Sequence, residues 1–123
     1  MPKTAKANPI PSHALERGPF SPGFHAATEL IGKRWTGAIL YSLFHGLKRF
    51  SDLEDAVPGL SARMLSERLK ELETEGLVNR QVLPETPVRI EYTLTAKGDA
   101  LRPIFMAINH WADTWNVGAN LER

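Results

Sequence analysis

Apolar positions along this chain fall into blocks of helical spacing, interrupted once by a block that alternates. In the first block Phe24, Ala27, Leu30 and Ile31 share one side of a short helix. The second, from Trp35 to His45, carries a wide face of Trp35, Ala38, Ile39, Leu43 and Phe44, with Leu40 adding to it. Gly46 supplies the left-handed residue that ends such a helix, and Leu47 can fold back on its last turn. Ser51-Asp52-Leu53-Glu54 has the form of a capping box, so a third helix is expected to start there. It is short, because Pro58 and Gly59 break it. Ser61 then caps a fourth helix, with Leu60 placed to staple onto Leu65. That helix runs to Glu75 and ends at Gly76. Leu77 to Leu83 and Val88 to Leu94 are rich in β-branched residues, and Arg89 to Leu94 alternates strictly. They read as two strands joined by the loop Pro84-Glu85-Thr86-Pro87. Thr95 is expected to cap one long last helix, striped by Leu101, Ile104, Phe105, Ile108, Trp111, Ala112 and Trp115.

Two helices joined by the tight turn Val57-Pro58-Gly59-Leu60 make a helix-turn-helix, and a hairpin directly after the second helix makes a wing. The expected fold is α+β and mainly helical: a winged helix-turn-helix domain over residues 20–116, with N- and C-terminal helices for dimerisation. Residues 1–19 and 117–123 are expected to be tails. The first holds four prolines and the sparse charges of Lys3, Lys6 and Arg17, which favour a solvated tail over an arm on DNA.

On a helical wheel Ala62, Leu65, Leu69 and Leu72 fall on the core side, and Arg63, Ser66, Glu67 and Lys70 on the other. In a helix-turn-helix the N-terminal part of this outer face enters the major groove. The segment 61–75 is therefore read as the recognition helix and 84–89 as the wing. Arg63 suits a bidentate contact to guanine O6 and N7. Ser61, Ser66 and Lys70 suit phosphates or base edges, and Ala62 and Glu67 complete the contact face. Arg80 and Arg89 belong to the wing, where arginine reaches the backbone or a narrow minor groove. Lys48 and Arg49 precede the first motif helix and suit phosphates. The alternative for each is bland: an i,i+4 ion pair on a solvated helix, a soluble hairpin, a polar turn.

Composition changes the picture in a few places. With 42% apolar and 24% charged residues in 123, the chain is an ordinary globular one. A net charge of +1 counts mildly against DNA, although local arrangement sets the field at a contact surface. No apolar run is long enough to span a bilayer, and Met1 to Ala7 lacks the apolar core of a secretory signal, so a cytoplasmic location is expected. There is no cysteine, hence no disulfide framework, thiolate zinc site or thiol switch. The four histidines are dispersed without metal-ligand spacing, and no catalytic motif is present. Neither cofactor nor metal is expected.

The apolar stripe of the last helix is long for so small a core. Burying part of it in a symmetric partner avoids a large exposed patch. The expected homodimer interface is Phe24, Leu30, Leu101, Ile104, Phe105, Ile108, Trp111 and Trp115. It would set two recognition helices about 34 Å apart on a pseudo-palindromic site in double-stranded DNA. An aromatic-lined pocket for a small-molecule effector is expected near the dimer helices, at Trp35, His25 and His110. Repression is the expected sign, because a small dimer blocks polymerase by occupying a promoter. The rivals are a winged-helix protein-interaction module that no longer binds DNA and, distantly, a small-molecule enzyme.

The segments Leu30-Ile31-Gly32-Lys33-Arg34-Trp35-Thr36, Arg49-Phe50-Ser51-Asp52-Leu53, Leu60 to Glu73, Glu75 to Arg80 and Val88 to Gly98, with the late Trp111, resemble the HxlR-type winged helix-turn-helix regulators. The likeness runs from about Phe24 to Trp115 in the expected order. It implies a dimeric DNA-binding regulator related to the MarR-like proteins, a reading helix over Ser61 to Lys70, Arg89 in the wing, and dimerisation through the terminal helices. Two departures stand out. Many members carry a cysteine shortly before the first conserved helix, and some sense oxidants or electrophiles with it. Here that region reads Ser21-Pro22-Gly23-Phe24, so thiol-based sensing has no reactant. The usual paired glycine before Lys-Trp appears as Gly32-Lys33-Arg34-Trp35, which is expected to alter the local turn.

Overall fold

A computed structural model of the chain describes residues 18–119. The elements run α1 (Pro22–Ile31), α2 (Thr36–Phe44), α3 (Phe50–Ala56), α4 (Ala62–Thr74), β1 (Val78–Leu83), β2 (Arg89–Leu94), α5 (Ala96–Asp99) and α6 (Arg102–Thr114). This is a mainly helical α+β winged helix. Most of the two expected tails lies outside the described residues.

The core forms where one face of each helix is apolar. Leu65, Leu69 and Leu72 of α4 pack with Ile39, Leu40 and Leu43 of α2 and Leu53 of α3. Val57 and Leu60 from the turn, and Leu77 and Val78 at the start of β1, close the cluster. Each leucine buried in this way contributes about 1.5–3 kcal/mol. Phe105 of α6 joins the core, its ring edge-on to Phe44 at 5.4 Å. Arg102 anchors the same helix: its Nη1 donates to the Phe44 carbonyl at 3.0 Å, at the open end of α2.

The turn between α3 and α4 needs Gly59, whose φ is +87°, and Leu60 N–H donates to the Val57 carbonyl at 3.2 Å. Ser61 caps α4, its hydroxyl accepting from Met64 N–H at 3.0 Å. Gly76, at φ +77°, closes α4, with Leu77 N–H donating to the Leu72 carbonyl at 2.9 Å. Two further carbonyls at this end, those of Glu75 and Gly76, accept from Lys97 Nζ at 2.8 Å and the Thr95 hydroxyl at 2.6 Å. The strands pair antiparallel, from Val78 opposite Leu94 to Leu83 opposite Arg89. Tyr92 N–H donates to the Lys48 carbonyl at 2.8 Å. The chain leading into α3 is thereby tied to β2, which sets the wing against the helix-turn-helix.

Four local expectations are corrected. Ser51 caps nothing: α3 begins at Phe50 behind Arg49, because Phe50 packs against the core and Lys48 is already held by β2. α2 begins one residue late, at Thr36, because Trp35 stands at φ +77°, and Ala38 is exposed rather than on the buried face. Ala62 is exposed as well, since the first turn of α4 projects past the core. The last helix is broken in two. Thr95 caps only the four residues of α5, Leu101 N–H turns tightly onto the Gly98 carbonyl at 3.1 Å, and Pro103 has no N–H to offer Asp99.

Candidate nucleic-acid interface

The outer face of α4 is polar because its three leucines take the inner one. Ser61, Ala62, Arg63, Ser66, Glu67 and Lys70 are all exposed. The Ser61 hydroxyl accepts from a backbone amide and keeps its own proton for another acceptor. Arg63 is 89% exposed and donates from Nε to Glu67 Oε2 at 3.3 Å. The i,i+4 pair anticipated as the bland alternative is therefore formed, starting in the first turn of α4.

Lys70 and Ser66 look across to β1. With Glu73, Arg80 and Tyr92 they line a cavity of about 310 Å³ between α4 and the hairpin. Lys70 and Arg80 make no ion pair among the described residues. Two cations with free hydrogen-bonding protons therefore share one polar hollow. Tyr92 and Glu73 were missed by the sequence reading. The strand register, Arg80 opposite Tyr92, brings Tyr92 there, and Glu73 follows Lys70 by one turn of α4.

The second group lies at the wing. Arg49 and Ser51 at the start of α3 face residues Glu85–Ile90 across a cleft of about 500 Å³. Arg89 is less free than the sequence suggests. Its Nη2 donates to Glu85 Oε2 at 2.8 Å, its Nε lies 3.7 Å from Glu91 Oε2, and that Nε is buried without a hydrogen-bond partner. Glu91 also sits 3.9 Å from Lys48 Nζ. The strict alternation of β2 turns Glu91 and Arg89 to the same side, and this placed a carboxylate between two candidate DNA cations.

A clamp reaches α4 from the α1–α2 linker. Arg68 Nε donates to the Arg34 carbonyl at 2.9 Å, and Glu71 holds both Arg68, at 3.4 Å, and Lys33, at 3.1 Å. The Arg34 guanidinium lies 4.5 Å from the centre of the Trp35 ring, and that ring reaches the Gly59 turn. These contacts hold Trp35 in a backbone conformation that bulky residues rarely adopt.

The expected dimer residues divide into two sets. Phe24, Ile104, Ile108, Trp111 and Trp115 are exposed, Trp115 by 69%. Phe105 is only 9% exposed and belongs to the core of its own chain, and Leu30 and Leu101 pack at the edge of that core. The expected effector residues do not meet in one pocket of the single chain. Trp35 packs on the helix-turn-helix, His25 stands beside Phe20 and Glu29, and His110 is exposed on α6. Among the described residues, no three metal-ligating side chains gather, and no helix is long and apolar enough to cross a membrane.

The model of the HxlR-like helix-turn-helix family matches residues 30–119. The HTH-type transcriptional regulator YvaP of Bacillus subtilis is 52% identical over 101 residues, 82% of this chain and 94% of its own. Among solved structures, the reduced form of the transcriptional regulator YodB from B. subtilis is similar at a TM-score of 0.70 and 50% identity, covering 76% of this chain and 92% of that one. The quinone-bound form of YodB is similar at a TM-score of 0.67 and 44% identity, covering 76% and 99%.

Proposed function

The chain belongs to the HxlR-like helix-turn-helix family, a transcriptional regulator with a DNA-binding domain and not an enzyme, and on that premise we propose that it represses transcription as a homodimer on a pseudo-palindromic operator. The observation that carries the DNA contact is the capped, outward face of α4. Ser61, Ala62, Arg63, Ser66, Glu67 and Lys70 stand clear of the core there, and Ser66 and Lys70 adjoin Arg80. The N-terminal turn of α4 enters the major groove, and Arg63 contacts bases. Lys70 and Arg80 hold phosphate on one flank, and Arg49, Lys48 and Arg89 hold it on the other.

Dimerisation is supported by the exposed row Ile104, Ile108 and Trp111 on α6 and Trp115 at its C-terminal cap, with Phe24 of α1. One chain leaves these rings in water, and a second copy covers them. Repression follows from occupancy of a promoter, in the cytoplasm where the promoter is met. A small-molecule effector belongs to this reading, since the similar YodB is known in a quinone-bound form. This chain has no cysteine, so its response proceeds without a thiol.

The test is fluorescence anisotropy with promoter-proximal DNA of its own gene against a scrambled duplex, at two salt concentrations. Binding that depends on sequence and weakens steeply with salt is expected. Arg63→Ala should lower operator affinity by roughly ten- to a hundredfold while helicity and the dimer persist. Equal affinity of Arg63→Ala and wild type would remove Arg63 from the reading face. Absence of binding at low salt by a folded dimer would overturn the DNA reading.

A further inference from the structure

The reading face of α4 carries a carboxylate, and simple DNA affinity gives it no purpose. Glu67 is half exposed, one turn after Arg63, and its Oε2 accepts from Arg63 Nε at 3.3 Å. In water an exposed pair of this kind contributes little to stability, so stability does not account for it. On DNA its position matters more. The duplex backbone offers anionic phosphate oxygens, which accept hydrogen bonds and repel a carboxylate. The base-edge donors of the major groove are the exocyclic amino groups, N4 of cytosine and N6 of adenine. An ionised glutamate on a helix in that groove therefore has two kinds of favourable base partner.

The arginine is constrained by the same contact. With Nε engaged by Glu67, the two terminal Nη groups remain, and they make no hydrogen bond among the described residues. That leaves the guanidinium fork to approach end-on, the geometry that matches guanine O6 and N7. Glu67 Oε1 likewise makes no hydrogen bond among the described residues and is free to accept. Residues four apart rise about 6 Å along the axis. That is less than two of the roughly 3.4 Å base steps along one strand, which keeps neighbouring bases within reach of both side chains.

We propose that Arg63 and Glu67 form a single reading unit. Arg63 takes guanine end-on. Glu67 orients the guanidinium through Nε and accepts from the amino group of a cytosine or adenine at the adjacent position of the same strand. This rests on α4 being the recognition helix, and it adds that the half-site contains a guanine next to cytosine or adenine on the same strand. Glu67 is thereby a specificity residue, not a solvated neighbour.

The experiment is enrichment of sites from a pool of duplexes with a randomised core, using the wild-type protein. Anisotropy follows on the enriched duplex and its single-base-pair variants, with wild type, Glu67→Gln, Glu67→Ala and Arg63→Lys. Thermal melting of each variant checks its fold. Wild type should lose about tenfold in affinity when the guanine or the amino-bearing base is replaced. Glu67→Ala should reduce the preference at the amino-bearing position to within about twofold, weaken that at the guanine, and leave all other positions unchanged. Glu67→Gln, which can also donate, should relax the same position alone. If Glu67→Ala tightens binding to every duplex by one factor with preferences intact, the carboxylate only repels phosphate and the proposal falls. An enriched site in which no guanine adjoins cytosine or adenine along its own strand overturns it too. If wild type enriches no sequence, the DNA reading itself fails, and this unit with it.

Discussion

Gly98 lies against the backbone of Leu77 so closely that a Cβ there would overlap the Leu77 carbonyl oxygen and sit 3.0 Å from its carbon. The same carbonyl accepts from Thr95 N–H at 3.0 Å, so it cannot swing away without losing that bond. Gly98→Ala should cost about 3 kcal/mol, read as a lower urea midpoint at constant slope. Gly37 makes the contrasting case. A Cβ there would meet Phe105 at an ordinary 3.5 Å inside α2, so Gly37→Ala should stabilise by about 0.5 kcal/mol in the same assay. Nothing in the local sequence separates these two glycines, because the difference is made by residues far along the chain. Arg89 teaches a similar lesson. Its place in the wing was legible, but its hold by Glu85 and Glu91 was not, since the loop conformation decides which carboxylate reaches it. Replacing Glu85 with glutamine removes one of the two carboxylates that compete with phosphate for Arg89. Duplex affinity should rise about two- to fivefold, an increase that vanishes when Arg89 is alanine.

At the scale of elements, two serines with the same local credentials part ways. Ser61 accepts from Met64 N–H and caps α4, so Ser61→Ala should cost about 1 kcal/mol. Ser51 carries out no capping, and Ser51→Ala should change stability by less than about 0.5 kcal/mol. Urea titration of the two variants side by side checks both. Periodicity located α1, α2, α4 and the hairpin to within a residue or two, because one face of each is apolar and the stop signals at Gly46, Gly59 and Gly76 are chemical necessities. It failed where tertiary contacts outweigh local ones. The Lys48–Tyr92 bond draws the start of α3 forward, Arg68 and Arg34 hold Trp35 out of α2, and Pro103 divides what the stripe presents as one helix.

For the molecule as a whole, the amphipathic stripe of α6 told that burial was needed but not against what. Apolar spacing is identical for a residue facing its own core and one facing a second copy, so Phe105 and Ile108 read alike. The fold separates them, with Phe105 buried and Ile108 52% exposed. On the proposed dimer, Ile108→Asp should leave the far-ultraviolet circular dichroism of the chain intact and shift its sedimentation from dimer to monomer. Phe105→Ala should instead cost about 3–5 kcal/mol of folding stability. The three tryptophans follow the same division. Trp35 is half-buried on the turn of the helix-turn-helix, while Trp111 on α6 and Trp115 at its C-terminal cap lie open. The intrinsic emission of this protein thus has two separable sources. Quenching by iodide should reach the α6 pair in the free chain and lose it on assembly, leaving the Trp35 signal as an unlabelled optical gauge of the turn that aims α4.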